Sequence, residues 1–288
     1  MGDLADVFRA HVRHLAATPR PPGTKAHREA ARYIREYLAQ AGYKVEEAGF
    51  REAGFAGLNL LTKPLPDRPE LPLLIVGAHY DSVPHSPGAD DNASAVAALL
   101  DLARALAPRL EQADSCRARL QLAAYDLEEF GLVGSIVHSR AVKKARTILL
   151  GMISLEMLGY ADNRPGSQGL PPHLAHLYPN VANFIGVVGN EASRELLQTV
   201  TAGMKSVAGL PVEFLAVPGN GQVLAETRLS DHASFWDHGF PALMITDTSF
   251  FRNPHYHQPS DTPETLDYEF LAKVTAGVVA AVEKLLTK

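Results

Sequence analysis

Two hydrophobic periods alternate along the chain. Residues 73–78, 120–125, 148–155, 184–188, 212–217 and 242–246 are short apolar runs of the kind that form buried strands. Between them, residues 93–107, 132–144, 191–208 and 267–286 carry apolar positions at helical spacing, and 233–238 reads as a short helix. In the first of these, Val96, Leu99, Leu100, Ala103 and Leu106 share one side. Residues 4–16 and 24–41 predict two amphipathic helices, separated by Thr18-Pro19-Arg20-Pro21-Pro22-Gly23, which cannot be helical throughout. Gly42 is a helix stop, and residues 44–50 and 58–62 predict a hairpin at a sheet edge.

This alternation predicts a three-layer α/β/α sandwich with a mixed, mostly parallel central sheet covered by helices on both faces. No repeat, low-complexity tract or Gly/Ser-rich linker divides the chain, so residues 1–288 are expected to form a single domain, with the helices of residues 1–42 packed on its core. The loops at 161–180 and 217–231 are long enough to serve as pocket walls.

Composition narrows the partners. The 46% hydrophobic content supplies a large core, while a net charge of −5 without a Lys/Arg block argues against nucleic acid and anionic membrane. A small peptide substrate fits better, and oligomeric state is open. Cys116 is the single cysteine, so no intramolecular disulfide forms. Charges interrupt the first 20 residues and no run approaches membrane-spanning length, so a soluble cytoplasmic protein is expected, with export after loss of a signal as the alternative.

Five polar segments follow apolar runs: His79-Tyr80-Asp81, Asp90-Asp91-Asn92, Glu128-Glu129, Glu156, and His257 with Asp261. In open α/β sheets, ligands bind beyond the carboxyl ends of the strands, so these segments are candidates for one site. Each alone has a plainer reading. His79 could be a strand-end histidine oriented by Asp81, and the acids at 90–91 and 128–129 could complement helix N-termini. Glu156 is different, because it ends an apolar strand where an unpaired carboxylate is costly to bury. Together Asp91, Glu128, Glu129 and Glu156 gather four negative charges, which two divalent cations would balance.

The chain resembles the zinc aminopeptidases of the M28 peptidase group, with the related glutamate carboxypeptidases and glutaminyl cyclases. The resemblance spans roughly residues 25–285. It rests on Ala78-His79-Tyr80-Asp81-Ser82, Pro87-Gly88-Ala89-Asp90-Asp91-Asn92-Ala93-Ser94, Glu128-Glu129-Phe130-Gly131-Leu132-Val133-Gly134-Ser135, Ser154-Leu155-Glu156-Met157, Ser230-Asp231-His232 and Tyr256-His257-Gln258-Pro259-Ser260-Asp261-Thr262. It implies two zinc ions, one on His79 and Glu156, the other on Glu129 and His257, with Asp91 bridging both. It also implies Glu128 as general base, Asp81 as the partner of His79, and a cis peptide bond between Asp91 and Asn92. The family often has Asp where this chain has Glu156. His255 rivals His257, since both would point the same way in an extended segment, but the family's His-x-x-x-Asp spacing selects His257. Tyr256 matches a tyrosine that some relatives use to steady the tetrahedral intermediate, or it lines the pocket. Asp231, His232 and Asp261 are supporting candidates.

The function this resemblance implies is metal-dependent hydrolysis of the N-terminal peptide bond of peptides. Glutaminyl-peptide cyclisation is the alternative. A carboxypeptidase would need a buried arginine for the substrate carboxylate, for which Arg228 and Arg252 are candidates, and an inactive binding domain would normally lack a ligand or base. A Ser/His/Asp hydrolase built on Ser230, Asp231, His232 and Asp237 is disfavoured, because adjacent residues rarely converge as a triad and no Gly-x-Ser-x-Gly elbow is present. Met157, Phe250 and Phe251 are candidate pocket-wall residues.

Overall fold

A computed structural model describes residues 2–110, 115–172 and 174–287. Two helices come first, α1 (Gly2–Leu15) and α2 (Lys25–Gln40), followed by the hairpin β1 (Val45–Glu52) and β2 (Phe55–Thr62). Then come β3 (Leu73–His79), α3 (Ala95–Leu110), β4 (Arg119–Tyr125), α4 (Val133–Lys144) and β5 (Leu149–Glu156). The last part contains β6 (Ile185–Asn190), α5 (Arg194–Met204), β7 (Val212–Val217), α6 (His232–Trp236), β8 (Ala242–Thr246) and α7 (Tyr268–Leu286).

All eight strands join one sheet in the order β1-β2-β4-β3-β5-β8-β6-β7. The sheet is mixed: β4-β3-β5-β8 run parallel, as do β6 and β7, while β1-β2, β2-β4 and β8-β6 are antiparallel. The parallel stretch brings the carboxyl ends of β3, β4, β5 and β8 to one edge, where His79 and Glu156 are terminal strand residues. The predicted edge hairpin is present.

Helices α3, α5 and α7 cover one face, with α1 packed on α3 and α7; Phe8, Val12, Leu99 and Val278 are buried in that core. Gly203 lets α5 approach α7 closely, since a Cβ there would sit 2.5 Å from the Ala281 Cα. Helices α4 and α6 cover the other face, where Phe235 and Trp236 pack with Tyr125 and Met152, and the Trp236 indole donates to the Ala242 carbonyl at 2.8 Å. Among the described residues, no helix is long and apolar enough to cross a membrane.

Two elements depart from the periodicity. The helix expected over 191–208 is α5 alone, preceded by a tight turn in which the Asn190 side chain accepts the Ser193 N–H at 3.0 Å. The helix expected from residue 93 is preceded by a wide turn over Ala89–Ser94, broken at Asp91 and Asn92, whose backbone angles are not helical.

Candidate metal centre

His79 ends β3, the fully buried central strand of the parallel stretch, and its ring points into a cluster of acids. Its Nε2 lies 3.3 Å from Asp91 Oδ1, 3.5 Å from Glu156 Oε1 and 3.9 Å from Glu128 Oε2. On the other side, His257 Nε2 lies 3.1 Å from Asp91 Oδ2 and 3.0 Å from Glu129 Oε2. Asp91 therefore presents one oxygen to each imidazole. The Asp91–Asn92 peptide bond is cis, as the resemblance implied.

Short contacts without bonds mark this as a site for cations. His257 Nε2 and Glu129 Oε1 are buried without a hydrogen-bond partner, although carboxylates stand close by. Two ligands that each lie ~2.1 Å from a tetrahedral zinc are separated by roughly 3.4 Å. The histidine-to-acid distances of 3.0–3.5 Å match that spacing. Donor atoms of His79, Glu128 and Glu156 lie within 4.8 Å of one another, as do those of His79, Asp91 and Glu129. The nitrogen and carboxylate donors present therefore fit zinc.

The electrostatics agree. Burial and the neighbouring Asp91 push Glu129 up to about 7 despite the His257 ring. Burial likewise raises Glu156, and it raises Glu128 well above the carboxylate range. Asp91 goes the other way: burial is outweighed by the His257 and His79 rings, which hold it low. For His257, burial opposes charging, but Asp91 and Glu129 carry it up to about 10. Such opposed shifts among packed groups mark functional sites.

The supporting residues fix the loops. Asp81 accepts the backbone N–H groups of Glu128 at 3.2 Å and Glu129 at 3.3 Å, and faces His79 Nδ1 at 3.5 Å. Asp261 accepts the N–H groups of Asp90 and Asp91 at 2.9 and 3.2 Å. Burial and the adjacent Asp90 raise Asp261 to about 7. Asp231 is fully buried, and burial lifts it to about 7. His232 is not drawn to the cluster: its Nε2 bonds the Thr227 carbonyl at 2.8 Å, and its ring meets Trp236 edge-on. Tyr256 stacks on His257 with centroids 3.8 Å apart, and burial and the surrounding acids raise its hydroxyl pKa strongly.

Residues 253–258 are a turn, with Gln258 N–H bonded to the His255 carbonyl and His257 at φ 58°, and not the extended segment expected. His255 consequently turns to Ser260, 2.9 Å from its hydroxyl, and only His257 reaches the acids.

Three further contributors support the cluster in ways their motifs did not specify, Arg20 lying outside any motif. Ser230 donates to Glu156 Oε2 at 2.7 Å, and Asn92 ties the Leu155 carbonyl to the Met157 N–H. Arg20, buried in the Pro-rich stretch, donates to the carbonyls of Leu15, Tyr80, Pro87 and Gly88, which clamps the loop after β3. Burial brings its pKa down to about 10. Proline on both sides of a lone arginine was the only available hint.

A cavity partly open to solvent adjoins the cluster. The loops at 161–180 and 217–231 supply Leu170, Leu174, Leu224 and Leu229, and Phe250 and Phe251 line it as expected; Met157 is buried elsewhere. Its six acids are Asp91, Glu128, Glu129, Glu156, Glu213 and Glu226, and no Lys, Arg or His lines it among the described residues. His173 lies outside the described residues. Arg228 is held by Asp237 and the Asn220 carbonyl, and Arg252 is buried over Phe184, bonded to Gln168.

A model of the family described as peptidase family M28 matches residues 59–282. The chain is 38% identical over 263 residues to an uncharacterized Escherichia coli (strain K12) protein, YfbL, covering 86% of this chain and 77% of that protein. It is 27% identical over 216 residues to a probable leucine aminopeptidase of Arthroderma otae, covering 71% of this chain and 52% of that protein. The chain thus spans about half the length of that leucine aminopeptidase relative. Solved structures share the fold. They include a Legionella pneumophila LapA aminopeptidase (TM-score 0.77, 20% identity, 100% of this chain and 73% of that one). BSAP, a zinc aminopeptidase from Bacillus subtilis, aligns with TM-score 0.75 and 16% identity over 99% of this chain and 95% of its own. A Porphyromonas gingivalis glutaminyl cyclase aligns with TM-score 0.70 and 20% identity over 97% of each chain.

Proposed function

The chain belongs to peptidase family M28, and we propose that it is a zinc-dependent aminopeptidase that hydrolyses the first peptide bond of peptides. Residues 1–288 act as one catalytic unit in this reading. The observation that supports it is the cavity beside the metal centre: with two divalent cations balancing Asp91, Glu128, Glu129 and Glu156, Glu213 and Glu226 still leave it anionic, and no Lys, Arg or His lines it among the described residues. A substrate ammonium is attracted into such a pocket, and a substrate carboxylate is repelled.

His79, Glu156 and Asp91 would hold one zinc, and His257, Glu129 and Asp91 the other. Bound there, zinc would supply polarisation of the scissile carbonyl and acidification of a water. Glu128 lines the cavity without being needed as a ligand, and its place beside His79 suits a general base. Glu128 takes the proton as the water oxygen attacks the carbonyl carbon. When the C–N bond breaks, Glu128 returns that proton to the leaving nitrogen. Asp81 keeps Glu128 and Glu129 in register through their backbone N–H groups. Tyr256 stacks on His257 and lines the cavity, and in this reading its hydroxyl would bond the oxygen that develops charge.

The test is hydrolysis of leucine anilide against its N-acetylated form, before chelation, after it, and with zinc restored. Zinc-dependent hydrolysis of the free-amino compound alone supports the reading. Cleavage of neither, with cyclisation of an N-terminal glutamine peptide, would replace it.

A further inference from the structure

The cavity has a direction that the sheet register defines. Glu156 on β5 is the partner of Thr246 on β8, Thr246 of Gly186 on β6, and Gly186 of Glu213 on β7. The alternation of strand side chains puts all four on the face that also carries Val188, Leu215 and Met244. They form one row across the cavity floor, from a metal-centre carboxylate at one end to Glu213 at the other. Three interstrand steps of ~4.8 Å separate the ends by roughly 14 Å.

The row is low at Gly186, beside the methyl groups of Thr246 and Thr248. Gly186 has no side chain, and the nearest atom to a Cβ built there would be the Thr246 carbonyl oxygen at 3.3 Å. Phe184, Val188, Leu215 and Met244 make the surroundings apolar. At the far end Glu226, from the loop after β7, joins Glu213 in lining the cavity. Neither carboxylate has a side-chain hydrogen bond or an ion pair among the described residues, and both are half-buried. Both carboxylates are therefore free to accept from a cation bound in the cavity.

Resting on the aminopeptidase reading, we infer that Glu213 and Glu226 make this pocket select an N-terminal residue whose aliphatic side chain ends in a cation, lysine or arginine. With its α-amine and carbonyl at the metal centre, a lysine lays four methylenes over Gly186. Its stem spans roughly 6 Å and carries the ammonium from the metal centre along the row toward Glu213 and Glu226. The apolar walls hold the stem while the acids receive the head. A leucine side chain stops short and leaves both acids unanswered.

The experiment compares kcat/KM for lysine and norleucine anilides, which differ at the tip of the side chain, on the zinc-loaded protein and on Glu213→Gln, Glu226→Gln and the double variant. The expected lysine-to-norleucine ratio is 10 or more in the parent and falls at least fivefold in the double variant. A parent ratio of 1 or below, or a ratio that the double substitution leaves in place, overturns the inference. Calorimetric titration of lysinamide and norleucinamide reads the same ratio as affinities and needs no turnover. If neither anilide is cleaved, the aminopeptidase reading fails, while the amide affinities still decide the pocket's preference.

Discussion

Arg20 and Tyr80 stand 60 residues apart in the chain, yet the guanidinium Nε of Arg20 donates to the Tyr80 backbone carbonyl at 3.0 Å. The remaining guanidinium nitrogens bond Leu15, Pro87 and Gly88. The loop between His79 and the wide turn of Asp91 is thus tied to the connection between α1 and α2. A lysine offers one compact ammonium and cannot span four carbonyls. Arg20→Lys is expected to lower stability by about 3 kcal/mol, seen in urea unfolding, and zinc affinity by roughly tenfold to a hundredfold, seen by competition with a chelator. Wild-type values for both would remove Arg20 from the support of the site.

Glu128 is assigned a proton-transfer role and not a ligand role, although it lies 3.9 Å from the His79 ring. Glu128→Gln should keep the metal content of the parent while kcat drops by about 10²–10⁴. Loss of zinc from this variant, measured by elemental analysis, would make Glu128 a ligand instead.

The two oxygens of Asp91 face different histidines. Metal titration should therefore give two tight equivalents for the parent and one for His257→Ala, while Asp91→Ala binds neither tightly. A single equivalent in the parent would contradict the bridging role.

His138 is buried, accepts or donates one bond with the Tyr125 hydroxyl at 3.0 Å, and burial alone lowers its pKa to about 4. The unfolded chain protonates this histidine near 6.5, whereas the folded one resists until about 4. The depressed folded value means that the contribution is complete above pH 6.5 and is lost as pH falls toward 4. At ~1.4 kcal/mol per unit, this amounts to roughly 3 kcal/mol. His138→Asn keeps a polar atom near Nδ1 but cannot titrate. Urea unfolding of chelated protein should show the parent losing that much more stability than the variant between pH 7 and pH 4, and parallel curves would refute the assignment.

The sequence by itself determined the elements and the chemical inventory. Apolar period fixes which segments are strands or helices, because burying a face is a local property of the pattern. The motifs around His79, Asp91, Glu128-Glu129, Glu156 and His257 named the residues that come together, and the cis bond after Asp91 came with them. What the pattern could not carry was anything that depends on distant segments meeting. The antiparallel pairing of β8 with β6 and the row from Glu156 to Glu213 are matters of register between strands with no common sequence signal. His255 and His257 have the same composition context, and only the turn at 253–258 separates them. Arg20 looked like a loop residue until the fold supplied four carbonyls around it, since hydrogen bonds to backbone atoms leave no mark on the residue types that provide them. Tertiary structure decided which acids gather around His79 and His257 and which line the far end of the pocket.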